Sequence, residues 1–194
     1  MCVQYQALVE RNCPIEISSS LPVSIDSLAR ALVETRALAG ALEVPVIVVE
    51  NAASQLQVGS AQFADMPEYA AWVDWVAHCA TRFSQLSGAT AVSLRMSHSR
   101  HPTCPRFHVD AVRMRLITTL IGPGTEWLRP VDVGLTPDSR TTQTPDPDSV
   151  QQMMPGSVGI FKGATFDAAT GRGVVHRSPL DRVDRIVMTL DIAA

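Results

Sequence analysis

The order of hydrophobic patterns predicts an α+β protein, a β-sandwich or barrel with helices packed outside it. Three observations carry this. Apolar residues recur at helical spacing in two stretches of the first half. From about residue 90 the chain becomes a run of short apolar or alternating segments bounded by glycine and proline. No helical pattern returns after that change, and helices followed by a run of strands is the signature of segregated layers. The expected organisation is a helical region over 1–88 packing on a β core over 89–194, together one structural domain.

Residues 1–22 are mixed and end in ISSSLP, which reads as a loop. From Ser24 to about Leu42, the residues Ile25, Leu28, Ala29, Leu32, Leu38 and Leu42 keep helical spacing, with Ser24 or Asp26 as N-cap. VPVIVV (44–49) is apolar and β-branched, a buried strand. A second helix is expected from near Asp65, where DMPE sets an N-cap, a first-turn proline and a capping-box Glu68 in order. Tyr69, Trp72, Val73, Val76, Ala80 and Phe83 give it one broad apolar face, and Gly88 ends it. TAVSLRMS (90–97) alternates, placing Val92, Leu94 and Met96 on one face of a strand. RLITTLIG (115–122), GSVGIFKG (156–163), GVVHRS (173–178) and DRIVMTLDI (184–192) read as further strands. Between them lie the turn-forming insert GPGTEWLRP (122–130) and the polar, Pro-rich loop GLTPDSRTTQTPDPDS (134–149). In the insert, Glu126 and Trp127 either line a pocket mouth or, for Trp127, cap the core.

Composition narrows the function classes. Hydrophobic residues make up 46% of the chain, enough for a core. The net charge of −3 and pI near 5.9 argue against a nucleic-acid partner. No apolar run approaches the ~18 residues of a membrane span, and MCVQYQALVERNC lacks the features of a signal peptide. Cys2, Cys13, Cys79 and Cys104 are scattered with no CxxC, as expected of a reduced, cytoplasmic protein. Burial is the expectation for Cys104, and His78 is expected on the surface or packed. The sequence carries no signal for an oligomeric state.

HPTCPRFHVD (101–110) concentrates ligand-type residues in a chain with five histidines. His108 and Asp110 are two apart, so on a strand both face the same way. With His176, the only histidine in the downstream strands, they would make two imidazoles and one carboxylate around an ion. That set leaves three positions open and suits non-haem Fe(II). The simpler reading is a hydrogen-bonded His–Asp pair. Arg185 follows His176 by nine residues, on a strand whose Arg185, Val187 and Thr189 share one face. Ile186, Met188, Leu190 and Ile192 share the other and suit packing under helices. An inward arginine needs an anion, either a ligand carboxylate or one of Asp181, Asp184 and Asp191.

His108-x-Asp110, a distant His176 and Arg185 nine positions later resemble the Fe(II)/2-oxoglutarate-dependent oxygenases of the prolyl-hydroxylase type. GSVGIFKG, VVHRSP and RIVMTLDI are similar to that superfamily's glycine-led strand, distal ligand and closing strand, so the likeness runs over about 90–192 in order. CPRFHVD, GPGTEWL and VHRSP more closely resemble the hallmarks of a small bacterial family of unknown function. The superfamily resemblance implies a double-stranded β-helix, a cupin-like jelly roll, with the helices outside one sheet. It implies Fe(II) held by His108, Asp110 and His176, and 2-oxoglutarate gripped by Arg185. The expected activity is a dioxygenase oxidising a small molecule or a protein side chain. The superfamily usually adds a Tyr, Thr, Ser or Lys to the co-substrate site. Here both tyrosines, Tyr5 and Tyr69, lie outside the strands, so Thr118, Thr119 and Thr189 are candidates. Arg115, Arg177 and Arg182 compete with Arg185 for the co-substrate. A different class of answer is a cupin-like zinc protein of metal homeostasis, using His98, His101, Cys104 and His108.

Overall fold

The computed structural model describes residues 14–38, 40–133, 145–167 and 172–193. The chain opens with β1 (Ile15–Ser18), α1 (Val23–Thr35), β2 (Ala41–Val48), α2 (Ala52–Gly59) and α3 (Tyr69–Ser87). It continues as β3 (Ala91–Ser99), β4 (Met114–Ile121), β5 (Glu126–Leu128), β6 (Val150–Gln152), β7 (Val158–Lys162), β8 (His176–Arg177) and β9 (Arg185–Ile192).

Two antiparallel sheets result. The larger has the order β1-β7-β4-β9-β3-β2, the smaller β6-β5-β8. An isolated antiparallel bridge between His108 and His176 adds a fourth segment to the smaller sheet. From β3 onward the chain crosses repeatedly between the two sheets, through the His108 bridge between β3 and β4 and with β5 and β6 as a consecutive pair in the small sheet, the winding of a double-stranded β-helix.

Alternation along the strands of the large sheet produces two different faces. Ile186, Met188 and Leu190 of β9, Val92, Leu94 and Met96 of β3, and Leu116 and Leu120 of β4 join Ile25, Leu28, Leu32, Trp72, Val76 and Phe83 of the helices in one buried core. The opposite face looks toward the small sheet. There Ile117 and Phe161 meet Met153 and Val174, with Trp127 and Val187 packed against them. Phe107, Leu128 and Val175 form a third cluster. Leu128 neighbours Trp127 in β5, so this cluster lies on the far side of the small sheet.

The strands over 90–97, 115–122, 156–163, 173–178 and 184–192 fall where their patterns place them. Gly88 ends α3 in the left-handed conformation at φ 74°. Several helical expectations are corrected. The first helix stops at Thr35, not Leu42, because Arg36 turns left-handed at φ 54° and its N–H closes on the Val33 carbonyl. Leu42 instead pairs with Met96 in β2. Neither Ser24 nor Asp26 caps α1, whose N-cap is Pro22, and Asp26 pairs with Arg30. The DMPE segment does not start α3. Glu68 takes φ 63° with no side-chain cap, and the helix begins at Tyr69. VPVIVV is not a fully buried strand. Its first five residues lie in edge strand β2, with Val46 and Val48 exposed and an irregularity between Val44 and Ile47, and Val49 starts a 3-10 turn. Pro45, which has no N–H to donate, is tolerated at such an edge.

Four elements escaped the pattern. The strand β1 lies inside the stretch read as mixed sequence and loop. The helix α2 buries only Ala52 and Leu56, too few for a period. The strands β5 and β6 have three residues each, below the length at which alternation can be read. Residues 134–144 of the Pro-rich loop, with Cys2, Cys13 and Tyr5, lie outside the described residues. No helix among the described residues is long and apolar enough to cross a membrane.

The two faces of β9 give a direct test. Leu190→Ala, at a fully buried position against the helices, is expected to cost about 2–5 kcal/mol. Thr189→Ala, one residue earlier and on the opposite face, is expected to cost under about 1 kcal/mol. Urea unfolding of both variants checks this.

Candidate metal centre

The backbone brings the two histidines together. His108 N–H donates to the His176 carbonyl at 3.0 Å, and His176 N–H donates back to the His108 carbonyl at 2.9 Å. Their rings lie 4.6 Å apart between centroids. Asp110 is set two residues beyond this joint, where the Ala164 N–H donates to its carbonyl at 2.8 Å. That close approach depends on Gly163. A Cβ there would lie 1.9 Å from the Val112 carbonyl oxygen and 2.8 Å from that of Asp110.

His108, Asp110 and His176 are the one group of three or more metal-ligating side chains, among the described residues, whose ligand atoms lie within 4.8 Å of one another. His108 Nε2 is 3.5 Å from Asp110 Oδ1, and His176 Nε2 is 3.3 Å from Asp110 Oδ2. Adjacent ligands ~2.1 Å from an ion sit roughly 3 Å apart, so these spacings match three ligands on one face. The second ring nitrogens are both occupied. His108 Nδ1 lies 2.9 Å from the Arg106 carbonyl and His176 Nδ1 lies 2.9 Å from the Val174 carbonyl. A carbonyl can only accept, so each Nδ1 carries the proton and each Nε2 presents its lone pair inward. Phe161 packs edge-on to His176 at 5.1 Å. His176 is buried and His108 partly open, so the centre is reached from the His108 side.

Asp110 carries the charge of the site. Burial pushes its pKa up, but contacts with His108, His176 and Arg115 outweigh burial and hold it well below the usual carboxylate range. Its Oδ2 is buried and accepts no hydrogen bond of good geometry, although Arg115 Nη1 stands 2.8 Å away. The Asp110 carboxylate thus stands against both imidazole lone pairs, Oδ1 toward His108 and Oδ2 toward His176, an arrangement that a divalent cation would satisfy.

Arg185 lies on the same sheet face, six residues from Asp191. Its Nε donates to the Pro123 carbonyl at 2.9 Å, and its Nη2 donates to Thr125 Oγ1 at 3.0 Å and to Thr119 Oγ1 at 3.3 Å. The GPGTEWL insert makes this possible. Gly122, at φ +84°, folds against the start of β9, where a Cβ would meet the Asp184 carbonyl at 2.5 Å. None of the described carboxylates forms an ion pair with Arg185. Asp184 pairs with His98 at 2.9 Å, Asp191 pairs with Arg115 at 2.7 Å, and Asp181 is exposed. Burial pushes the Arg185 guanidinium down to about 10.

The remaining candidates fall differently. Arg115 does not face an open anion site. Its Nε and Nη2 both donate to Asp191 at 2.7 Å. Arg177 pairs with Glu126 at 2.6 Å and stacks over Phe107, while Arg182 is exposed. Glu126 therefore turns away from the interior, and Trp127 packs inside it. Thr118 pairs in register with Met188 and shares its helix-packed face, so it points away from the centre. Thr189 is on the inner face, opposite Ile117. Thr125 was missed by sequence reasoning, and the glycines before it were the available signal. The set His98, His101, Cys104 and His108 does not converge. His98 is taken by Asp184, and Cys104, expected to be buried, is exposed, its backbone held by Ser178. His78 lines a surface groove with Trp75 and Arg82.

A family model described as "Protein of unknown function (DUF1826)" matches residues 7–191. The chain belongs to this family. A search of curated proteins finds no match. Among solved structures, the chain is similar to a dioxygenase for auxin oxidation from rice, at 17% identity and TM-score 0.57, over 98% of this chain and 76% of that one. It is also similar to a prolyl-4-hydroxylase from Pseudomonas putida, at 12% identity and TM-score 0.54, over 98% of this chain and 97% of that one. At these identities the likeness establishes the fold, a jelly roll of mixed helix and antiparallel sheet.

The His108 pKa is raised from 6.5 by its contact with Asp110, against the opposing effect of burial. A proton therefore competes with an ion for Nε2 up to pH values above 6.5. Affinity for a divalent metal is expected to fall as pH drops from about 8 to 6, and His108→Gln should weaken binding and flatten the slope. Calorimetric titrations across that range check both. In the metal-free protein the sign reverses. The raised pKa contributes stability fully present below 6.5 and lost as pH rises through the folded value. Gly163→Ala is expected to lower thermal stability and metal affinity together, since its Cβ displaces the Asp110 segment.

Proposed function

We propose that the chain is a non-haem Fe(II)- and 2-oxoglutarate-dependent oxygenase acting on a small molecule or a protein side chain. The observation that carries this is Arg185, an arginine turned inward on the face of the ligand cluster and paired with none of the described carboxylates. A buried guanidinium without an anion is unfavourable unless a ligand supplies one, and its planar fork suits a carboxylate.

The residues divide the work. His108 and His176 each offer Nε2, and Asp110 one oxygen, so an ion is held from one side with its other positions open. Arg185 takes the distal carboxylate of 2-oxoglutarate, with the Thr119 and Thr125 hydroxyls beside it. Ile117, Val187 and Trp127 form an apolar floor on the same inner face, suited to the co-substrate's methylene groups and to excluding water. Bound iron, with 2-oxoglutarate and dioxygen, supplies the oxidising power, releasing succinate and CO₂ as substrate is oxidised. Thr189, on the same inner face, is a further hydroxyl candidate for the co-substrate.

Protein loaded with Fe(II) under nitrogen is expected to develop a weak visible charge-transfer band on adding 2-oxoglutarate. In air it should release succinate slowly even without substrate. Arg185→Ala should weaken 2-oxoglutarate binding by roughly 10- to 100-fold, the worth of a charge-assisted hydrogen bond, while leaving metal content unchanged. Failure of the iron-loaded protein to bind 2-oxoglutarate would sink the proposal. Tight zinc held by the same three ligands would then point to metal homeostasis instead.

A further inference from the structure

We infer that Arg115 and Asp191 act as a positioning pair for the metal centre: Arg115 pairs with the Asp110 carboxylate and holds it beside the two imidazoles, and Asp191 cancels the charge that Arg115 brings beside it. This rests on reading His108, Asp110 and His176 as metal ligands. It does not depend on 2-oxoglutarate.

The two residues are partners in register, Arg115 on β4 opposite Asp191 on β9. Both guanidinium–carboxylate hydrogen bonds measure 2.7 Å, a two-pronged grip that fixes the plane of the guanidinium. That plane aims the remaining nitrogen, Nη1, at Asp110 Oδ2, 2.8 Å away. Each side chain is about one quarter exposed, so water screens the contacts only in part.

The charges make the pair testable. Arg115 is a permanent cation placed within one carboxylate's width of where a dication would sit, and it opposes metal binding. Asp191 offsets it. Asp110, Arg115 and Asp191 together carry one negative charge. Loss of Asp191 takes that sum to zero, and loss of Arg115 takes it to minus two. A pair that merely holds two strands together would weaken the site whichever member is removed. A charge-balancing pair gives effects of opposite sign.

The experiment is a Co(II) titration against a competing chelator, followed by visible absorption, on the full chain. Asp191→Asn is expected to weaken Co(II) binding at least about tenfold. Arg115→Gln is expected to bind at least as tightly as wild type, and the double variant to return to within about threefold of wild type. Variants lacking Arg115 should also change the Co(II) spectrum, because the Asp110 carboxylate loses the contact that orients it. The pairing is overturned if Asp191→Asn keeps wild-type affinity, or if Arg115→Gln weakens binding tenfold. The latter test stands even where Asp191→Asn does not fold. Absence of Co(II) binding by the wild-type chain would overturn the metal centre and the pair's role with it. Metal binding without 2-oxoglutarate binding would overturn the oxygenase reading alone.

Discussion

Two backbone hydrogen bonds, exchanged between His108 and His176, are the joint on which the site is built. Each is worth roughly 1 kcal/mol in net stability, yet their effect on position is larger. They bring together segments 68 residues apart in the chain and make the rings neighbours on the inner side of the small sheet. Everything else about the cluster follows from that register. A slip of one residue in either segment would turn its imidazole outward and part the pair. The flanking carbonyls of Arg106 and Val174 that hold each Nδ1 leave the rings little freedom to turn.

The same inner face carries two arginines in contrasting surroundings. Arg115 is saturated by protein carboxylates, and Arg185 is surrounded by a carbonyl and two hydroxyls. Their shared setting makes the difference informative. A sheet able to supply Asp191 to one cation supplies no carboxylate to the other, and the insert after β4 delivers only neutral acceptors to it. The fold thus separates a balanced end from an end that still attracts negative charge, with an apolar strip on the same face.

Much of this was legible in the sequence where a period was long enough to read. The two faces of β9 follow from eight alternating residues, and the pairing of His108 with Asp110 on one side follows from their spacing. Three-residue strands such as β5 and β6 carry no readable period, so the small sheet had to be seen rather than read. Thr118 and Thr119 look equivalent in sequence, and only the strand's register decides that one faces the helices and the other Arg185. The helix expected to reach Leu42 failed for a related reason. Leu38 and Leu42 are buried, as the pattern required, but by a turn and a strand rather than by a helix. Apolar spacing reports which residues leave water, and a left-handed residue such as Arg36 can redirect the chain without disturbing that count. The partners of Arg115 were likewise invisible, because the sequence does not show which strands become neighbours.

The edge strand β2 has an effect on how the molecule meets its own copies. A six-stranded sheet ends in a row of unpaired backbone groups that another sheet can extend. Here the row is interrupted by Pro45, distorted between Val44 and Ile47, and faced with the charges of Glu43 and Arg95. At the opposite border β1 is only four residues long and irregular between Glu16 and Ser18. Among the described residues, both margins of the sheet thus carry features that disfavour edge-to-edge extension.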